Sequence, residues 1–153
     1  RLIQMSGNLE TKMYGKGTLS LTDPRRSVYL TVKRSKLLPF LQLFDAPDAI
    51  EGKEVRNETN SSPQSLTLLN SKFVREMSAK LATRIKADSN EALVTQLYWE
   101  TYSRPPLPRE LSYLAEFLSR QTNLYEGDAK AADKAKIDLC QLLICSNEFV
   151  YVD

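Results

Sequence analysis

Histidine is missing altogether from this chain of 153 residues, and several other residue types are scarce: five glycines, three methionines, two cysteines and one tryptophan. Without an imidazole, a serine or cysteine nucleophile lacks its usual base. A haem cannot attach through a C-x-x-C-H motif within these residues, and zinc loses its commonest nitrogen ligand. Chemistry carried by this chain alone would have to use carboxylates or a metal held through oxygen. The shortage of glycine disfavours loop-rich and β-barrel architectures and favours helix.

The two cysteines, Cys140 and Cys145, fall in one expected helix. Five helical residues rise about 7.5 Å and turn the side chains roughly 140° apart, which violates disulfide geometry. Both are expected as free thiols, with Cys140 in the core. Long apolar runs are also lacking: none approaches the roughly 20 residues needed to span a bilayer, so no transmembrane segment is expected. Excess charge is small, with 21 basic against 19 acidic residues. The two signs intermingle after about Glu51, so the basic footprint of a nucleic-acid binder is not present.

A chain of this length fits one domain with a single core, assigned here to residues 1–153. The opening "RLIQMSGNLE" has neither an initiator Met nor the pattern of a signal peptide, and reads as the continuation of a longer chain. "LIQMSG" resembles the end of a helix stopped by Gly7 in the left-handed conformation. "SVYLTVK" alternates Val28, Leu30 and Val32 against Tyr29 and Thr31, the period of a short half-buried strand, with "KEVRNET" around Val55 as candidate partner. A helix from Ser35 to Phe44 would place Leu37, Leu38, Leu41 and Phe44 on one face, followed by a polar loop from Ala46 to Ser62.

Ser62 and Pro63 then signal a helix start. Its apolar stripe runs through Leu66, Leu69, Phe73, Val74, Met77, Leu81 and Ile85. Further helices are expected around Leu93, Val94, Leu97 and Tyr98, from Pro108 through Leu111, Leu114, Ala115 and Leu118, and through Ala135, Leu139, Leu142 and Leu143. The sum is a mainly α fold, an irregular bundle of four to five helices with at most a small β-hairpin.

Six patches occur in an order that resembles one family: "SGNL" with Met13 and Gly15, "RRSVY", "FDAPD", Arg56 and Thr59 before "PQSLTLLN", "R-P" before "REL", and "LLICSNEFVYVD". The chain is similar to the planctomycete C-terminal domain of unknown function, the DUF1553 family. Leu107 stands where that family usually has a capping Thr, and Cys145 where it usually has Asn. The resemblance implies an exported, periplasmic or cell-envelope address. The implied partners are the remainder of the parent chain: a companion domain of unknown function and, in many members, a c-type cytochrome module. It implies no established reaction and no cofactor.

Candidate sites follow from charge and position. "PRRSVYLTVKRSK" gathers Arg25, Arg26, Lys33, Arg34 and Lys36 with no carboxylate before Asp45. Arg25 and Arg26, with Arg56, suit bidentate pairing with carboxylate or sulfate, and so with an anionic polysaccharide. The competing and favoured reading is a structural fork onto Asp45, Asp48 or Glu148. Asp45 and Asp48 flank a proline turn, where Asx-turn roles outweigh a calcium site. Arg56 and Thr59 would face a ligand or tie the loop to the next helix. Asn70 lies on or beside an apolar stripe, where its amide needs partners, expected in the long loop. Asn147 and Glu148 would close a cleft, or Glu148 would pair with Arg26, the favoured arrangement. No catalytic residue and no metal ligand is assigned. The expectation is a non-catalytic structural or interaction module, with a polysaccharide-binding or polysaccharide-processing domain as the alternative.

Overall fold

In a computed structural model, residues 1–33, 38–44 and 62–151 are described, apart from the side chains of Pro39 and Ser62. They form eight helices in the order α1 (Leu2–Met5), α2 (Pro39–Leu43), α3 (Ser62–Asn70), α4 (Lys72–Arg84), α5 (Asn90–Tyr102), α6 (Pro108–Leu124), α7 (Ala131–Ile144) and α8 (Asn147–Val150). The four long helices α4 to α7 make the bundle. The most extensive packing is of α7 on α4 and on α6, with α5 against α6. The short helices α1, α3 and α8 lie on this frame. The mainly helical expectation holds.

Three of the four long helices have a local reason to start where they do. The Ser71 Oγ accepts the Val74 N–H at 3.4 Å, and Ser89 Oγ accepts that of Ala92 at 3.1 Å, side-chain caps for α4 and α5. Pro108 occupies the first position of α6, where its missing N–H costs nothing. The apolar stripes then converge. Val74, Leu81, Val94, Leu97, Ala135, Leu139 and Cys140 are all sealed from solvent. Two buried hydroxyls inside this core, Ser78 and Thr101, donate to the carbonyls of Val74 and Leu97 one turn back, so neither is left unsatisfied.

Two expected elements differ. The single helix from Pro63 to Ile85 is two, because Ser71 caps α4 and ends α3 one residue earlier. The break changes the buried face of α3. Gln64 and Leu68 turn inward, whereas Leu66 and Leu69 are exposed. The expected strand at "SVYLTVK" is instead a 3-10 turn over Ser27–Tyr29, followed by an isolated parallel bridge between Leu30 and Thr18. Val28 and Val32 point to solvent rather than into a sheet face. Gly17 suits this close approach: a Cβ there would overlap the Thr31 hydroxyl and lie 3.2 Å from the Tyr29 carbonyl. The proposed partner around Val55 lies outside the described residues, which contain no strand. Gly7, with φ +72°, ends α1 as expected.

Candidate functional site

An open groove of about 590 Å³ runs between α1, the 3-10 turn, α2 and the near ends of α3, α4 and α8. Its walls are Leu2, Phe40, Phe44, Leu68, Phe73 and Phe149. Phe40 and Phe44 stack against each other with ring centroids 5.0 Å apart, the spacing of an attractive aromatic pair. Helical spacing explains their meeting, since residues four apart share a face. Three arginines, Arg1, Arg25 and Arg26, line the same groove, and no carboxylate is among its described lining residues.

The three arginines are not equivalent. Arg25 is folded onto Asp23: its Nη2 donates to Oδ2 at 2.9 Å and its Nε to Oδ1 at 3.1 Å, while the ring of Tyr29 lies 4.6 Å from its guanidinium carbon. This hydrogen bonding holds the Asp23 carboxyl below its ordinary range and raises Arg25. Arg1 stacks on Phe149 at 4.8 Å and donates to the carbonyl of Thr101 at 2.5 Å. Its charge is anchored but not neutralised. Arg26 is exposed and makes no ion pair among the described residues. Within the basic stretch Arg25 is therefore a structural fork and Arg26 an available cation at the groove, Lys33 is exposed, and Arg34 and Lys36 lie outside the described residues.

The expected Arg26–Glu148 pair does not form. Glu148 instead accepts from Arg104, Nε to Oε1 at 2.7 Å and Nη2 to Oε2 at 2.9 Å. The other edge of Arg104 bonds both oxygens of Glu110 at 2.8 and 2.9 Å. Its guanidinium carbon lies 5.2 Å from the Tyr98 ring centre and 5.8 Å from that of Tyr102. One arginine thus joins the α5–α6 turn, the first turn of α6 and α8. Those hydrogen bonds hold Glu110 down to about 2. Burial, aided by Glu110, pushes the Tyr98 hydroxyl up to about 12.

Asn147, at the start of α8, is exposed. Asn70 is exposed too, and its amide donates to the Leu66 carbonyl at 2.9 Å, finishing α3, while the long loop expected to partner it lies outside the described residues. Asp45, Asp48, Arg56 and Thr59 lie outside the described residues.

Two polar centres went unseen in the sequence. Asp138 on α7 accepts from Arg75 at 2.6 Å, Gln121 at 2.9 Å and Tyr125 at 2.8 Å, binding α4 and α6 to α7. Buried Gln64 donates to the Leu43 carbonyl at 2.8 Å and accepts from Tyr151 at 3.1 Å. Neither has a linear signature, because the partners lie on separate helices. Arg104 had one: an Arg-Pro-Pro turn followed by Glu110 three residues after the cap position. Glu110 accepts the Leu107 N–H at 2.7 Å, the reciprocal half of a capping box.

Among the described residues no group of three or more His, Cys, Asp or Glu is placed to hold a metal ion, and no helix is long and apolar enough to cross a membrane. Cys140 and Cys145 are free thiols, and burial pushes them up to about 12 and about 11. Neither has the lowered pKa of an activated nucleophile.

The described residues define a mainly helical bundle with a groove that pairs aromatic walls with a cationic rim. Residues 1–118 match the family described as PSD1, protein of unknown function (DUF1553), and the chain belongs to that family. No curated protein and no solved structure matches it.

Proposed function

We propose that this domain is a non-catalytic interaction module that docks a polypeptide segment in the groove between α1, α2 and α8. The observation that carries the reading is the concentration of Phe40, Phe44, Phe73 and Phe149 around one open groove of about 590 Å³. A cleft of that kind fits the pattern of a binding site with apolar walls and few polar groups. A second apolar surface supports an assembly role. Leu69 and Leu142 are 51% and 41% exposed, beside Cys145 around a shallow depression of about 350 Å³. Exposed apolar residues grouped in this way mark interaction surfaces.

The chemistry of the groove favours a peptide over a sulfated glycan. A glycan needs many hydrogen-bond donors aimed inward, whereas Arg25 is engaged by Asp23 and the walls are phenyl and aliphatic. An exported or cell-envelope location, with the partner segment belonging to the remainder of the same polypeptide, extends this reading through the family resemblance.

The test is site-specific photo-crosslinking in the chain as its host makes it. A benzophenone amino acid replaces Val28, a groove residue 77% exposed, and Leu124, 77% exposed on α6, serves as control. The expected result is one crosslinked peptide segment, mapped by mass spectrometry, at position 28 and not at 124. Equal, scattered labelling at the two positions overturns the proposal.

A further inference from the structure

We infer that the groove selects a segment in which a carboxylate neighbours a large apolar side chain, and that Arg26 reads the carboxylate. The inference rests on the docking role proposed above and adds the chemistry of the occupant. Phe40, Phe44 and Phe73 supply an apolar seat, while Arg26 lines that same groove with its charge uncompensated among the described residues. Arg1 adds a second positive charge, engaged among the described residues by the Phe149 ring at 4.8 Å and by the carbonyls of Thr101 at 2.5 Å and Phe149 at 3.4 Å, with no carboxylate on it. With no acidic residue among the described lining, the groove complements a negative partner and repels a basic one.

Arg26 is held for this task by its neighbours. It is the residue preceding the 3-10 turn, with φ −59° and ψ 145°, and its carbonyl accepts the Tyr29 N–H at 3.0 Å. Tyr29 in turn supports Arg25 through its ring and accepts the Tyr14 N–H at 2.7 Å. The Asp23–Arg25–Tyr29 cluster therefore fixes the backbone from which Arg26 projects. Arg25 braces the rim, and Arg26 is free to fork onto a ligand oxygen pair.

The experiment measures fluorescence anisotropy of the chain with a positional library of blocked nonapeptides of Phe, Leu, Ser and Asp. Isosteric peptides carrying Asn for each Asp form the comparison. The expected result is about fivefold tighter binding of the best acidic peptides, the effect of one solvent-screened charged hydrogen bond, weakening as salt rises. Arg26→Gln should abolish that preference while Arg109→Gln, at an exposed position outside the groove, preserves it. Circular dichroism of both variants should match the parent. Equal binding of acidic and neutral peptides overturns this inference and leaves the docking role standing. Binding of neither peptide set overturns both. Tighter Arg26-dependent binding of a heparin-derived sulfated disaccharide than of any peptide replaces the peptide by an anionic glycan.

Discussion

Replacing Arg104 with glutamine removes the most heavily bonded cation among the described residues. Arg104 is 34% exposed, Glu110 28% and Glu148 45%, so solvent screens both ion pairs and each contributes about 0.5–1 kcal/mol rather than the larger value of a buried pair. Placement over Tyr98 and Tyr102 adds about 0.5 kcal/mol. The expected loss at pH 7 is thus about 2 kcal/mol, a fall in Tm of about 4–8 °C for a domain of this size. Glu110 fixes the sign of the pH dependence. Its folded-state value is lowered from 4.5 to about 2, so its stabilisation is complete above the unfolded value and is lost as pH falls toward the folded one. Urea unfolding followed by circular dichroism should therefore show the gap between the parent and Arg104→Gln narrowing from pH 5 toward pH 3. A gap below about 0.5 kcal/mol at neutral pH would refute the clasp. So would a gap that stays constant through the acid range.

Other substitutions test other joints. Asp138→Ala strips the shared acceptor of Arg75, Gln121 and Tyr125 and should cost about 2–3 kcal/mol in chemical denaturation, with Asp138→Asn intermediate. Leu107→Thr places an acceptor at an exposed N-cap that has the extended backbone a cap requires. It should raise stability by about 0.5–1 kcal/mol, read as a higher Tm. Gly17→Ala should destabilise by about 1–2 kcal/mol through the clash with Thr31 Oγ1 and the nearby Tyr29 carbonyl, and Thr31→Ala in the same chain should recover part of the loss. At pH 8 the thiols of Cys140 and Cys145, held up to about 12 and about 11, should react slowly with a disulfide reagent in the folded protein and rapidly in urea.

The bundle was legible because its signals are local. Periodicity marked Val74, Met77 and Leu81 on one face, Pro108 marked the start of α6, and Gly7 marked the end of α1. The misreadings occurred where a second signal overruled the apolar pattern. Val28, Leu30 and Val32 alternate like a strand, but a strand needs a paired neighbour. Here an isolated bridge joins Leu30 to Thr18, and the chain before it tightens into a 3-10 turn. Leu66 and Leu69 fit the spacing of a continuous helix, but Ser71 caps α4 and interrupts it. A serine inside an apolar period carries two incompatible signals, solvated helix surface and N-cap, and sequence spacing does not rank them.

Pairing of charges was the least legible feature, and the reason bears on function. Any of several carboxylates could satisfy an arginine from the opening basic stretch on paper, because charge has no period. Geometry assigns them: Asp23 takes Arg25, while Glu148 and Glu110 take Arg104. That division leaves Arg26 at an aromatic groove without an ion pair among the described residues. An arginine kept exposed beside Phe40 and Phe73 does little for the fold, since its charge stays solvated. Its removal should therefore leave stability nearly unchanged while altering what the groove holds. Arg104 gives the opposite pattern, a loss of stability with the groove untouched, because it does not line that groove. Measuring unfolding and peptide binding for Arg26→Gln and Arg104→Gln side by side separates the two roles. If Arg26→Gln unfolds the domain as readily as Arg104→Gln does, the groove arginine is a structural brace, and the assignment of Arg26 as a reader of ligand charge falls.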